Sequence, residues 1–153
     1  MCPTKAITAP GVVDARLCIS YWTIEQRGAI PEELRASIGT RAFGCDDCQD
    51  VCPWNRFARA ATLDDVRPRE LFVDVDLARL AALTRDDWDV ATRGSAVRRA
   101  GYEGLLRNVA VALGNSGSPR ARPHLERLAA HDSALVREHA AWGLARLDVR
   151  PAV

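Results

Sequence analysis

In the second half of the chain apolar residues recur at helical spacing, whereas the first half breaks into short interrupted runs. From Asp76 to Leu83, leucines and alanines fall on one side of a 3.6-residue period, and Thr84-Arg85-Asp86-Asp87-Trp88 reads as the N-cap and first turn of a second helix. Two longer apolar runs, 105–114 and 135–144, repeat at a spacing of thirty, so that Arg107 matches Arg137 and Ala110 matches Ala140. Between them Ser118-Pro119 opens a helix that runs through His124 to Ala129. The pattern predicts paired antiparallel helices of a HEAT-like repeat, closely packed through small alanines, with Trp142 in the core.

Residues 1–59 are rich in Gly, Pro and Cys, which suits a small unit organised around an inorganic core. Pro31 to Arg35 opens a short helix with acids near its start, and Gly39 closes it. The β-branched and aromatic stretch Cys18 to Ile24 favours a short strand or a buried extended segment, with a helix the competing form. A polar connection around 62–68 separates the halves. The expected architecture is mainly α: a small ferredoxin-like iron–sulfur domain over 1–60, followed by a HEAT-like helical repeat domain over 61–153.

A nearly balanced charge with 48% hydrophobic content places the chain among soluble globular proteins, and no run of about 18 apolar residues suggests a membrane span. Charge is uneven, with ten arginines against five acids over 93–153. A basic face on a helical scaffold is a candidate nucleic-acid surface, a merely solvated arginine face being the alternative. His124, His131 and His139 lack a mutual spacing that points to metal or acid–base chemistry.

The cysteines sharpen the picture. Cys45, Cys48 and Cys52-Pro53 form a C-x2-C-x3-C-P run, the ending of bacterial-type iron–sulfur ligand runs, and Cys2-Pro3 reads as the tail of a second. Two cubane clusters need eight thiolates, and the chain offers five. Because the cysteine before proline ligates the other run's cluster, Cys2, Cys18, Cys45 and Cys48 make one complete set. Cys52 is then the fourth ligand of a cluster whose other three ligands precede Met1. Backbone amides of the turn from Gly44 to Asp47 are natural donors to cluster sulfur. A four-thiolate zinc site, for which two C-x2-C pairs are expected, and inert buried thiols stand as alternatives. The odd count and the lack of an apolar leader argue against disulfides and for a cytoplasmic protein.

The segments MCPTKAI, DARLCISYWTIEQRGAIPEELRASIG, FGCDDCQDVCPWNR and RGSAVRRAGYEGLLRNVAVALGN together resemble epoxyqueuosine reductases, over nearly the whole chain. The resemblance implies an oxidoreductase with two 4Fe-4S clusters and a cobalamin that reduces epoxyqueuosine to queuosine in a tRNA anticodon loop. It implies corrin-lining positions at Ser20, Cys45 and Asp46, and tRNA contacts from Gln26, Arg98, Arg99, Arg107 and Asn108. Capping of a turn and a solvated helix face are the competing roles for Asn108 and Arg107. The family's N-terminal cobalamin domain, with its catalytic acid, has no counterpart in this sequence. The resemblance therefore implies a C-terminal fragment, inactive alone, whose partners would be the tRNA, an electron donor and the missing half as a separate chain. A non-catalytic helical RNA- or protein-binding module with a vestigial or zinc-binding cysteine region is the alternative.

Overall fold

The computed structural model describes residues 2–59, 62, 72–73 and 75–149. The connection expected over 62–68, apart from Thr62, and the boundary at 60/61 lie outside the described residues. The fold is mainly helical. Its only sheet among the described residues is a hairpin of β1 (Ile7–Ala9) and β2 (Val12–Val13), antiparallel, with Gly11 at φ 73° in its turn.

Helix α1 (Glu32–Ile38) starts behind Pro31 with Glu32 and Glu33 in its first turn and stops at Gly39, whose φ of 64° few other residues tolerate. The short α2 (Asp47–Asp50) carries Cys48. The stretch after Cys18, expected to be extended, is instead helical and widens into a π turn over Tyr21–Glu25, closed by Gln26 N–H on Tyr21 O at 3.0 Å. Tertiary acceptor demand overrides its strand-like composition: the carbonyls of Trp22 and Thr23 accept from Arg107 and Asn108.

The repeat half comprises α3 (Leu77–Ala81), α4 (Arg85–Ala91), α5 (Tyr102–Ser116), α6 (Arg122–Ala129) and α7 (Ala134–Val149). Thr84 makes the expected cap, a reciprocal box with Asp87, and Ser118 caps a 3-10 turn that leads into α6. Helix α5 is buried on every side from Gly104 to Gly114 and packs against α7. Glycines, more than the expected alanines, set that approach: a Cβ on Gly114 would stand 2.6 Å from the Gly143 Cα. Trp142 is half-buried, with the Arg35 and Arg146 guanidiniums at 5.9 and 5.5 Å from its ring.

The two halves share one interior. Ile19, Ile30 and Ile38 of the cysteine-rich half pack with Val111 of α5. Polar ties cross the same seam. Asn115 donates to the carbonyls of Arg35 and Gly39, Arg35 pairs with Glu138, and His139 Nε2 accepts from Ile30 N–H at 3.1 Å. Burial pushes the His139 pKa down to about 4, so the ring is neutral and its Nδ1–H donates to Leu135 O.

Candidate iron–sulfur site

Four of the five cysteines meet. Cys2 before the hairpin, Cys18 at the head of the π-turn segment, and Cys45 and Cys48 around α2 line one cavity of about 80 Å³. The remaining wall is Thr4, Ala6, Ile7, Val13, Ile19 and Asp47, small and largely apolar. Among the described residues no three metal-ligating side chains converge on a point as a single ion requires. The four thiols are grouped by the one cavity that they line.

Local backbone geometry aims these sulfurs. Ala6 N–H donates to Cys2 Sγ at 3.3 Å, and Lys5 turns the chain with φ 56° to make that possible. Burial raises the Cys2 pKa, but the Thr4 hydroxyl and the amides of Ala6, Thr4 and Ile7 outweigh it, so the thiol is net acidified toward the thiolate a cluster needs. Cys45 is raised, first by burial and then by the Asp47 carboxylate, 3.4 Å away. Asp47 is held by Arg41 at 2.5 Å, which lowers its own pKa and neutralises its charge beside the cavity.

The Cys45 turn is fastened from behind. Gly44, at φ 73°, donates its N–H to Thr23 Oγ1 at 3.0 Å, so that amide is spent within the protein; the Asp47 N–H faces the Cys45 sulfur as expected. Ser20 Oγ donates to Cys45 O at 3.2 Å, and Asp46 is exposed beside it. Cys52 lies outside the cavity, at the start of a 3-10 helix Pro53–Phe57, flanked by exposed Val51, Trp54 and Phe57.

The five residues expected at RNA separate into two groups. Gln26 is half-buried, while Arg98 and Arg99 are exposed and ion-paired with Asp89 and Glu25. Arg107 and Asn108 do not reach the surface: both are completely buried. Arg107 donates to the carbonyls of Trp22 (2.6 Å), Gln26 (2.9 Å) and Gly28 (2.5 Å), and Asn108 Nδ2 donates to those of Thr23 (2.7 Å) and Ala42 (2.9 Å). These two residues, expected at RNA, here form an internal clamp, their donors taken by the π-turn carbonyls of Trp22 and Thr23, by those of Gln26, Gly28 and Ala42, and by Asn108 Oδ1. His139, Arg35 and Asn115, to which no site role was assigned, belong to the same seam.

Residues 1–55 match the family of 4Fe-4S double cluster binding domains, and residues 105–131 match the PBS lyase HEAT-like repeat. The class is therefore an iron–sulfur cluster domain built onto a HEAT-like helical scaffold. The chain is 53% identical over 149 residues to the epoxyqueuosine reductase of Pseudomonas aeruginosa, covering 95% of this chain and 41% of that protein. Against that of Escherichia coli it is 47% identical over 148 residues, covering 95% of this chain and 38% of the relative. A crystal structure of epoxyqueuosine reductase with a tRNA-Tyr epoxyqueuosine-modified stem loop superposes with a TM-score of 0.87 at 31% identity, over 95% of this chain and 39% of that one. The epoxyqueuosine reductase of Streptococcus thermophilus gives 0.78 at 28%, over 98% and 40%. The chain belongs to the epoxyqueuosine reductase family, and it spans about two fifths of the length of these relatives. No described helix is long and apolar enough to cross a membrane.

Proposed function

We propose that this chain is the cluster-bearing and RNA-facing part of an epoxyqueuosine reductase, in which Cys2, Cys18, Cys45 and Cys48 hold one 4Fe-4S cluster and Cys52 contributes to a second. The observation that carries the reading is the convergence of those four thiols, from three separate segments, on one small apolar cavity that excludes Cys52. Reduction of the epoxide to the alkene of queuosine takes two electrons and two protons and releases water, so a relay of one-electron centres suits the reaction. The Arg41–Asp47 pair keeps net charge away from the cavity, and the apolar wall limits water at the sulfurs.

Ser20, Cys45 and Asp46 form a continuous edge beside the cavity, joined by the Ser20–Cys45 hydrogen bond, with the Asp46 side chain exposed and making no cap bond. That edge fits the rim of a large planar cofactor, and cobalamin, when bound there, would supply the metal centre that reduces the substrate. The role of Ser20 in this scheme is to fix the Cys45 turn. Gln26, Arg98 and Arg99 would face the tRNA, the two arginines exchanging weak surface ion pairs for phosphate.

Anaerobic iron and sulfide analysis of the reconstituted chain tests the reading. About four irons and four sulfides per chain are expected. Cys48→Ala removes the cluster absorbance and Cys52→Ala leaves it nearly intact; equal losses refute the ligand partition, and zinc in place of iron refutes the reductase reading.

A further inference from the structure

The edge formed by residues 25–28 and 98–101 carries a charge arrangement that the protein itself leaves uncompensated. Arg107 lies beneath it, fully buried, and its acceptors are three backbone carbonyls and the Asn108 amide oxygen, with no carboxylate among the described residues. Arg27, close enough to Arg107 to repel it, is exposed and without an ion-pair partner among the described residues. Arg107 Nη1 grips the carbonyls on either side of Arg27, those of Gln26 and Gly28, and so fixes the backbone from which the Arg27 side chain projects. The Arg27 guanidinium also lies against Gly101, where a Cβ would stand 3.3 Å from its Nη1. Arg98 and Arg99 flank it, each answered by one acid, Asp89 and Glu25. Four guanidiniums thus meet two carboxylates. Burial, and then repulsion from Arg27, lowers the Arg107 pKa to about 10.

We propose that Arg27 is a preorganised seat for an RNA phosphate, held outward by Arg107 and completed only when a phosphodiester oxygen arrives. This deepens the RNA reading above and rests on it. Arg27 differs from Arg98 and Arg99 in having no ion pair among the described residues to surrender, so its contact costs the least reorganisation.

The test is binding of a tRNA anticodon stem-loop to the full reconstituted 153-residue chain, by fluorescence anisotropy over a range of salt. Release of about 0.7 counterion per single-strand phosphate makes Arg27→Gln about fourfold weaker at 0.15 M salt and flattens the log–log salt slope by about 0.7. Arg27→Lys restores most of the slope, and unchanged melting of both variants separates the effect from folding. Wild-type binding with an unaltered slope in Arg27→Gln overturns the seat and leaves the RNA reading standing. Absence of salt-dependent binding by the wild-type chain overturns both.

Discussion

Replacing Arg107 by Met keeps much of the side-chain length and removes every donor. Three partly buried carbonyls, those of Trp22, Gln26 and Gly28, and the buried Asn108 Oδ1 then lose their partner. At about 1 kcal/mol for each orphaned acceptor the loss is roughly 4 kcal/mol, offset in part because a guanidinium no longer has to be desolvated. The net expectation is about 2–4 kcal/mol, a large share of a typical domain stability of about 5–15 kcal/mol. Arg137 supplies an internal comparison, since it occupies the same position one repeat later but is exposed, donating to the carbonyls of His131 and Asp132. Arg137→Met should cost under about 1 kcal/mol. Urea unfolding of the three chains, compared through midpoints at constant m, reads the difference directly. An Arg107→Met chain within about 1 kcal/mol of wild type, or equal losses in both variants, would refute the clamp.

Acid supplies a second expectation. His139 has a folded-state pKa of about 4 against 6.5, so the unfolded chain binds more protons between those values and stability falls as pH drops from about 6.5 to 4. The fall approaches about 3 kcal/mol, opposed locally by Glu138 and reinforced by Arg35 and Arg107; His139→Gln should flatten the stability–pH curve in that window, and an unchanged slope sinks the assignment. The lowered carboxylates Asp14, Asp47 and Asp87 act below about pH 4 and do not confuse the measurement. In α5, Gly104→Ala meets nothing within 4 Å and should stabilise by about 0.5–1 kcal/mol, whereas Gly114→Ala strikes the Gly143 backbone and should destabilise by about 1–3 kcal/mol in thermal melts. Matching signs for the two glycine variants would contradict the close α5–α7 approach.

The periodic parts of the chain were legible from residue types. The caps at Thr84 and Ser118, the stop at Gly39 and the run of helices all follow from spacing and local chemistry. The grouping of Cys2, Cys18, Cys45 and Cys48 around one cavity was legible too, from the ending of the ligand run and the count of thiolates that two clusters need. The π turn was not, since its β-branched residues favour a strand locally and its stability comes from donors more than eighty residues away, at Arg107 and Asn108. Those two residues were expected at RNA through the family resemblance, and as polar types they are usually exposed. A signal was nevertheless present: the run from Leu105 to Leu113 is apolar on all sides of a helix, which leaves no solvent face for the polar pair to occupy.

The stretch from Cys18 to Arg27 has one end in the wall of the thiol cavity and the other on the cationic edge. Between them the carbonyls of Ile19, Trp22, Thr23 and Gln26 are all tied down, by Thr23, Arg107 and Asn108. Such a segment behaves as a strut and not as a hinge. It sets the span between the redox group and whatever lies on the outer edge at a constant length, so any adjustment of reach must come from the bound molecule.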